Sequence, residues 1–167
     1  MLVISFASSK GGVGKSTTCV SLAGCYVKAG ARVHLIDLDS NLTASRWLKD
    51  ETARPPTLTV SAPDPQILTE HLQETARHYA PDVTLIDVAG SYERALTIAI
   101  ARANLTIIPC ATTEADIFEA ARIAGHIQTM YAAFDRVPLY RVLATRVAAL
   151  VTHAQAQAFR EIARLKL

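Results

Sequence analysis

Five short apolar runs recur along the chain: LVISFA (2–7), RVHLID (32–37), DVTLID (82–87), LTIIP (105–109) and YRVLAT (140–145). Each is brief and dominated by apolar residues, the pattern of a strand buried on both faces. Between them lie longer segments of helical spacing at 15–28, 64–79, 91–103 and 113–134, and a further one begins at 153. Strands separated by helices need crossover connections, and crossovers make parallel sheets. The expected fold class is α/β, a three-layer, doubly wound, mostly parallel sheet whose ligand lies beyond the carboxyl ends of the strands. With 167 residues, half of them hydrophobic, one domain over 1–167 can bury its core without disulfides or metal staples.

Local signals sharpen the boundaries. Gly30 ends the first helix, and Asp64 followed by Pro65 is a good start for the helix at 64, because the proline's missing N–H would have been unpaired there anyway. The stretch 50–63 (DETARPPTLTVSAP) reads as a surface excursion carrying one short strand, TLTV.

The chemistry begins between the first strand and the first helix, in SSKGGVGKST (8–17). Gly11, Gly12 and Gly14 let the backbone curl so that successive N–H groups, aided by the helix dipole, face one concavity. A triphosphate suits such a cradle, with Lys15 on the β- and γ-phosphates and Ser16 on Mg2+. Ser9 stands where the strict phosphate-loop pattern has its first glycine, and Lys10 is a lysine that an ordinary loop does not need. Two acidic sites follow. Asp87 ends an apolar strand, where a carboxylate can hold a metal-bound water. Asp37 and Asp39 end a neighbouring one, and two residues apart on an extended strand they would share a face.

KGGVGKST, then VHLIDLDSN, then DVTLIDVAG, resembles the deviant Walker A ATPases of the ParA/MinD class, P-loop proteins that position plasmids, chromosomes and protein complexes. SYERALTIAIARANLTIIPCATTEADIFEA (91–120) is similar to that family's switch II helix, next strand and following helix. The resemblance runs from about residue 2 to about 147 and is closer to plasmid-type ParA proteins, including the VirC1-like ones of DNA-transfer systems, than to MinD. It implies ATP and Mg2+ as ligands, held by Lys10, Gly11, Gly12, Val13, Gly14, Lys15, Ser16 and Thr17, with Ser16, Asp37 and Asp87 toward the metal. It implies that Lys10 crosses an ATP-dependent homodimer to touch the phosphates of the other subunit. Asp39 would orient the attacking water, making Lys10, Lys15 and Asp39 the catalytic set. A ParB-like stimulating protein and non-specific DNA are the implied partners.

The family pattern also includes a further strand and helices that help to hold adenine, so a domain without those elements is expected. LATRV (143–147) resembles the family's Asn-Arg-type segment, which makes Arg146 either a residue beside the base or an unrelated surface arginine.

Two other functional classes compete. One is a metabolic or maturation ATPase of the same superfamily, either a ligase or an iron–sulfur electron carrier. Cys19, Cys25 and Cys110 form no cluster motif, however, and few residues remain for a separate substrate pocket. The other is a nucleotide-binding module without turnover.

The net charge of +2 does not by itself mark a nucleic-acid binder, but residues 136–167 hold six Lys/Arg against Glu161 alone. That basic end is either a solvated face or an anionic-partner footprint. The odd cysteine count, the lack of a long apolar run and the lack of a signal-like start point to a soluble cytoplasmic protein, with membrane contact not expected. The five histidines share no ligand spacing and read as surface or packing residues. Trp47 reads as a local hydrophobic anchor or as a ring packed over the switch region, and the terminal AQAFREIARLKL as a helix packed on the sheet or a contact for DNA or a partner.

Overall fold

The computed structural model describes residues 1–49, 54–90, 93–165 and 167. Among these residues six strands and six α-helices alternate: β1 (Leu2–Phe6), α1 (Lys15–Lys28), β2 (Val33–Asp37), α2 (Thr43–Trp47), β3 (Leu58–Ser61), α3 (Leu68–His78), β4 (Val83–Asp87), α4 (Glu93–Arg102), β5 (Leu105–Cys110), α5 (Glu114–Ala132), β6 (Tyr140–Ala144) and α6 (His153–Arg164). The strands form one sheet in the order β3-β2-β4-β1-β5-β6. Every pairing among the described residues is parallel.

Alternation along each strand feeds two cores. Ile4, Phe6, Leu35 and Leu85 point to one face and pack with Cys19 and Ala23 of α1 and Ala44 of α2. Val3, Ile36 and Ile86 point to the other and meet α3, α4, α5 and α6. Three layers follow because a sheet apolar on both faces must be covered on both. From the central β1 the chain crosses first to β2 and β3 and later, after β4, to β5 and β6 on the other side. The crevice where that direction reverses lies at the carboxyl ends of β1 and its neighbours.

The main elements follow the sequence expectations, with local differences. Helix α1 ends in a Schellman motif: Gly30 has φ 85°, its N–H donates to the Val27 carbonyl, and the Ala31 N–H donates to that of Tyr26. The segment at 64–79 does not start as an α-helix. Asp64 caps it, its side chain accepting the Gln66 N–H at 2.8 Å, but residues 65–67 form a tight 3-10 turn because the Ile67 N–H reaches back only to the Asp64 carbonyl. The strand expected as TLTV is β3, one residue further on. Residues 50–53 of the surface excursion and 91–92 of the switch-II-like segment lie outside the described residues.

Helix α6 opens with a capping box between Thr152 and Gln155 and buries Ala158 in the second core, so the terminal segment packs as expected. None of the described helices is long and apolar enough to cross a membrane.

Candidate functional site

The loop between β1 and α1 is built around missing side chains. Gly12 and Gly14 hold φ 76° and 93°, backbone that L-residues avoid. Helix α1 then starts with no side-chain cap and no acid in its first turn. By contrast, α5 and α6 open with the caps Thr113 and Thr152. Among the described residues, the first N–H groups of α1 have no side-chain partner, an arrangement that, with the positive end of the helix dipole, suits an external anion.

Around this start lies a cleft of about 750 Å3, bounded by the loop, Asp39, Trp47, Gly90 and Arg146. Lys15 is buried, and its Nζ donates to the Lys10 carbonyl at 2.9 Å. Burial lowers its pKa, opposed by the charges of Asp87 and Asp39. Val13 is buried too, and its carbonyl accepts the Thr145 hydroxyl at 2.8 Å, which ties the loop to the end of β6. Ser16 and Thr17 follow in the first turn of α1 and line the cleft.

Asp87 stands level with Phe6 on β1 and Asp37 on β2. It is fully buried, and among the described residues neither carboxylate oxygen has a hydrogen-bond partner in good geometry. Burial raises its pKa to about 6, with the charges of Asp37 and Asp39 adding to the rise. The nearby Ser16 hydroxyl and the Lys15 charge offset part of it. A buried charge-bearing group left without a partner is costly unless something binds it, so Asp87 fits a hydrated cation.

The acidic pair after β2 divides its work. Asp37 is buried, with one oxygen on the Asp39 N–H (3.1 Å) and the other on the Ser45 N–H (2.8 Å). It anchors α2 to the sheet. Asp39 lies past the end of β2, where strand alternation no longer applies, and it lines the cleft while its Oδ1 accepts from the backbone N–H and the side-chain amide of Asn41.

Lys10 leads away from the cleft. Its Nζ donates to Asp116 Oδ1 at 2.5 Å, the lysine being 43% exposed and the aspartate only 5%. Arg146, exposed, with φ 55° and its carbonyl held by Gln155 Nε2 at 3.2 Å, lines the cleft. Its guanidinium lies over Gly12, 3.4 Å from where a Cβ would be.

Trp47 differs from its reading as a hydrophobic anchor. It is 56% exposed and lines the cleft. The expectation for the histidines holds for His34, which is buried between β2 and β3 with ring nitrogens on Thr59 (2.7 Å) and Ser61 (2.9 Å). Three contributors escaped the sequence: Asp116, Thr145 and Gly90. A Cβ on Gly90 would lie 2.5 Å from the Ser9 carbonyl oxygen, so only glycine lets β4's exit touch the loop. The DVAG that ends β4 carried that signal, and Thr145 lies within the LATRV segment without its own role being evident; nothing local marked Asp116.

A family model described as the CobQ/CobB/MinD/ParA nucleotide binding domain matches residues 4–166. Protein virC1 of Rhizobium radiobacter is 33% identical over 123 residues, covering 72% of this chain and 53% of that protein. Protein ParA of the same organism is 30% identical over 149 residues, covering 88% of this chain and 65% of that one. The chain thus spans between half and two thirds of the length of these relatives. Among solved structures, a plasmid partition protein of Borrelia burgdorferi bound to AMPPNP superposes with a TM-score of 0.75 at 18% identity, covering 98% of this chain and 82% of that one.

Proposed function

Because the chain belongs to the CobQ/CobB/MinD/ParA family of nucleotide-binding domains, we propose that it is a Mg2+-dependent ATPase used as a switch. ATP joins two copies, the dimer holds DNA without sequence preference, and hydrolysis prompted by a ParB-like partner releases it. The observation that carries this reading is the uncapped, glycine-cradled start of α1 beside the buried Asp87 carboxylate, which acts on Lys15 and Ser16 and has no well-placed hydrogen-bond partner among the described residues.

The division of labour follows from the residues. Backbone N–H groups from Gly11 to Thr17 bind the phosphates, and the Lys15 ammonium exchanges the Lys10 carbonyl for a phosphate oxygen, a stronger acceptor. Ser16 and Asp87 are the groups that would hold Mg2+, with Asp37 fixing the neighbouring strand end behind them. When bound, the ion neutralises charge on the β- and γ-phosphates. Asp39, on the cleft wall, orients the attacking water. Lys10 reaches the phosphates of the other copy, a cation supplied in trans of the kind worth roughly 10^3 to 10^5 in rate in other NTPases. Arg146, whose guanidinium lies over Gly12, supports the nucleotide beside the loop.

The test is Asp39→Ala. The variant should bind MgATP with wild-type affinity, form a dimer with MgATP and not MgADP in light scattering, and turn over at least a hundredfold more slowly, as estimated for lost general catalysis. Wild-type turnover would remove the water-orienting role, and a monomer with both nucleotides would remove the dimer.

A further inference from the structure

Both residues ahead of the glycines are tied to one face of α5. Lys10 is bound to Asp116, and the Ser9 hydroxyl accepts from Arg122, which also pairs with Glu119. Positions 116, 119 and 122 recur every three residues and share a helix face. The carboxylate is the fixed partner in the first contact. Asp116 lies in the first turn of α5, its N–H donates to the Thr113 hydroxyl at 3.2 Å, and its second oxygen accepts that hydroxyl's proton at 2.5 Å. Burial would raise the carboxyl pKa, but the bonds from Lys10 and Thr113 outweigh it and hold the group below its ordinary value, so it is a carboxylate at neutral pH. Lys10 is the movable partner: a long, half-exposed side chain on a loop whose own carbonyl is released when Lys15 turns to a phosphate.

We propose that Asp116 is a positioning residue for Lys10, holding its ammonium on its own subunit so that dimer assembly must take the lysine from a carboxylate before it can reach the partner's phosphates. This rests on the trans role of Lys10 proposed above. The dock is a threshold against premature pairing. A triphosphate carries more charge than one carboxylate and can win the lysine, whereas a nucleotide without the γ-phosphate offers less.

The test uses the full chain carrying Asp39→Ala, with the monomer–dimer equilibrium in MgATP read by light scattering over a protein dilution series. Asp116→Asn keeps an acceptor for Thr113 and removes the charge that holds Lys10. It should dimerise at about a hundredfold lower protein concentration, because each of the two subunits gives up one charge-assisted hydrogen bond and each bond is worth about tenfold. The gain should vanish when Lys10→Ala is added, which a purely structural effect on α5 would not do. No gain, or an equal gain without Lys10, overturns the proposal.

A parent that stays monomeric with MgATP overturns the dimer reading and the competition with it. The contact itself is judged separately, by carbon NMR titration of the Asp116 carboxyl in the nucleotide-free protein. Lys10→Ala should move its midpoint upward, and an unmoved midpoint overturns the dock even if dimers form.

Discussion

Gly90 shows how much the site depends on a single absent side chain. With the Ser9 carbonyl 2.5 Å from where its Cβ would stand, Gly90→Ala must push the phosphate loop from its position. Overpacking of this kind costs about 1–3 kcal/mol, so nucleotide affinity should fall about tenfold or more, measured with a fluorescent ATP analogue, while the circular dichroism spectrum stays as in the wild type. At this scale the cradle was readable in the sequence because its glycines and lysine are adjacent and their spacing is the geometry. Asp116 was not, since 106 residues separate it from Lys10 and only the packing of α5 on β5 brings them together. Arg146 was half readable: its position in the segment was evident, its left-handed backbone was not.

Among the elements, β2 and β3 are joined by more than their ladder. His34 bridges to Thr59 and Ser61, and burial, with the charge of His71 adding, lowers its pKa to about 4. The folded protein therefore favours the neutral ring and the unfolded chain, near the ordinary value of about 6.5, takes up protons first. Stability is complete above about pH 6.5 and is lost as the pH falls toward 4, by on the order of 3 kcal/mol over that window. Urea midpoints at neutral and acid pH should show this slope, and His34→Gln should flatten it. A second check concerns α6, where Thr152→Ala removes the capping box and should cost about 1 kcal/mol in the same assay. The strands and α1 were legible because their apolar periods are unambiguous. Helix α2 was not, because five residues are too few for a period and its start is set by the tertiary bond from the Ser45 N–H to Asp37.

For the whole molecule, the sheet order puts β1 between β4 and β5, so the cleft sits where the winding reverses direction. The order itself was outside the reach of sequence patterns: alternation implies parallel strands, but which strand lies beside which depends on how the helices pack. The basic residues near the C-terminal end, among them the exposed Arg136, Arg141 and Arg160, are the proposed DNA contacts. In the MgATP state, duplex binding should weaken linearly in log–log form with salt, by roughly a hundredfold between about 50 and 200 mM for about four phosphate contacts. Binding indifferent to salt would count against this surface. The chain holds one tryptophan, and it stands at the mouth of the cleft. Its emission therefore comes from a single place, next to where a nucleotide would enter. The unlabelled protein carries its own optical gauge of occupancy, tethered through α2 to the same Asp37 that braces the site.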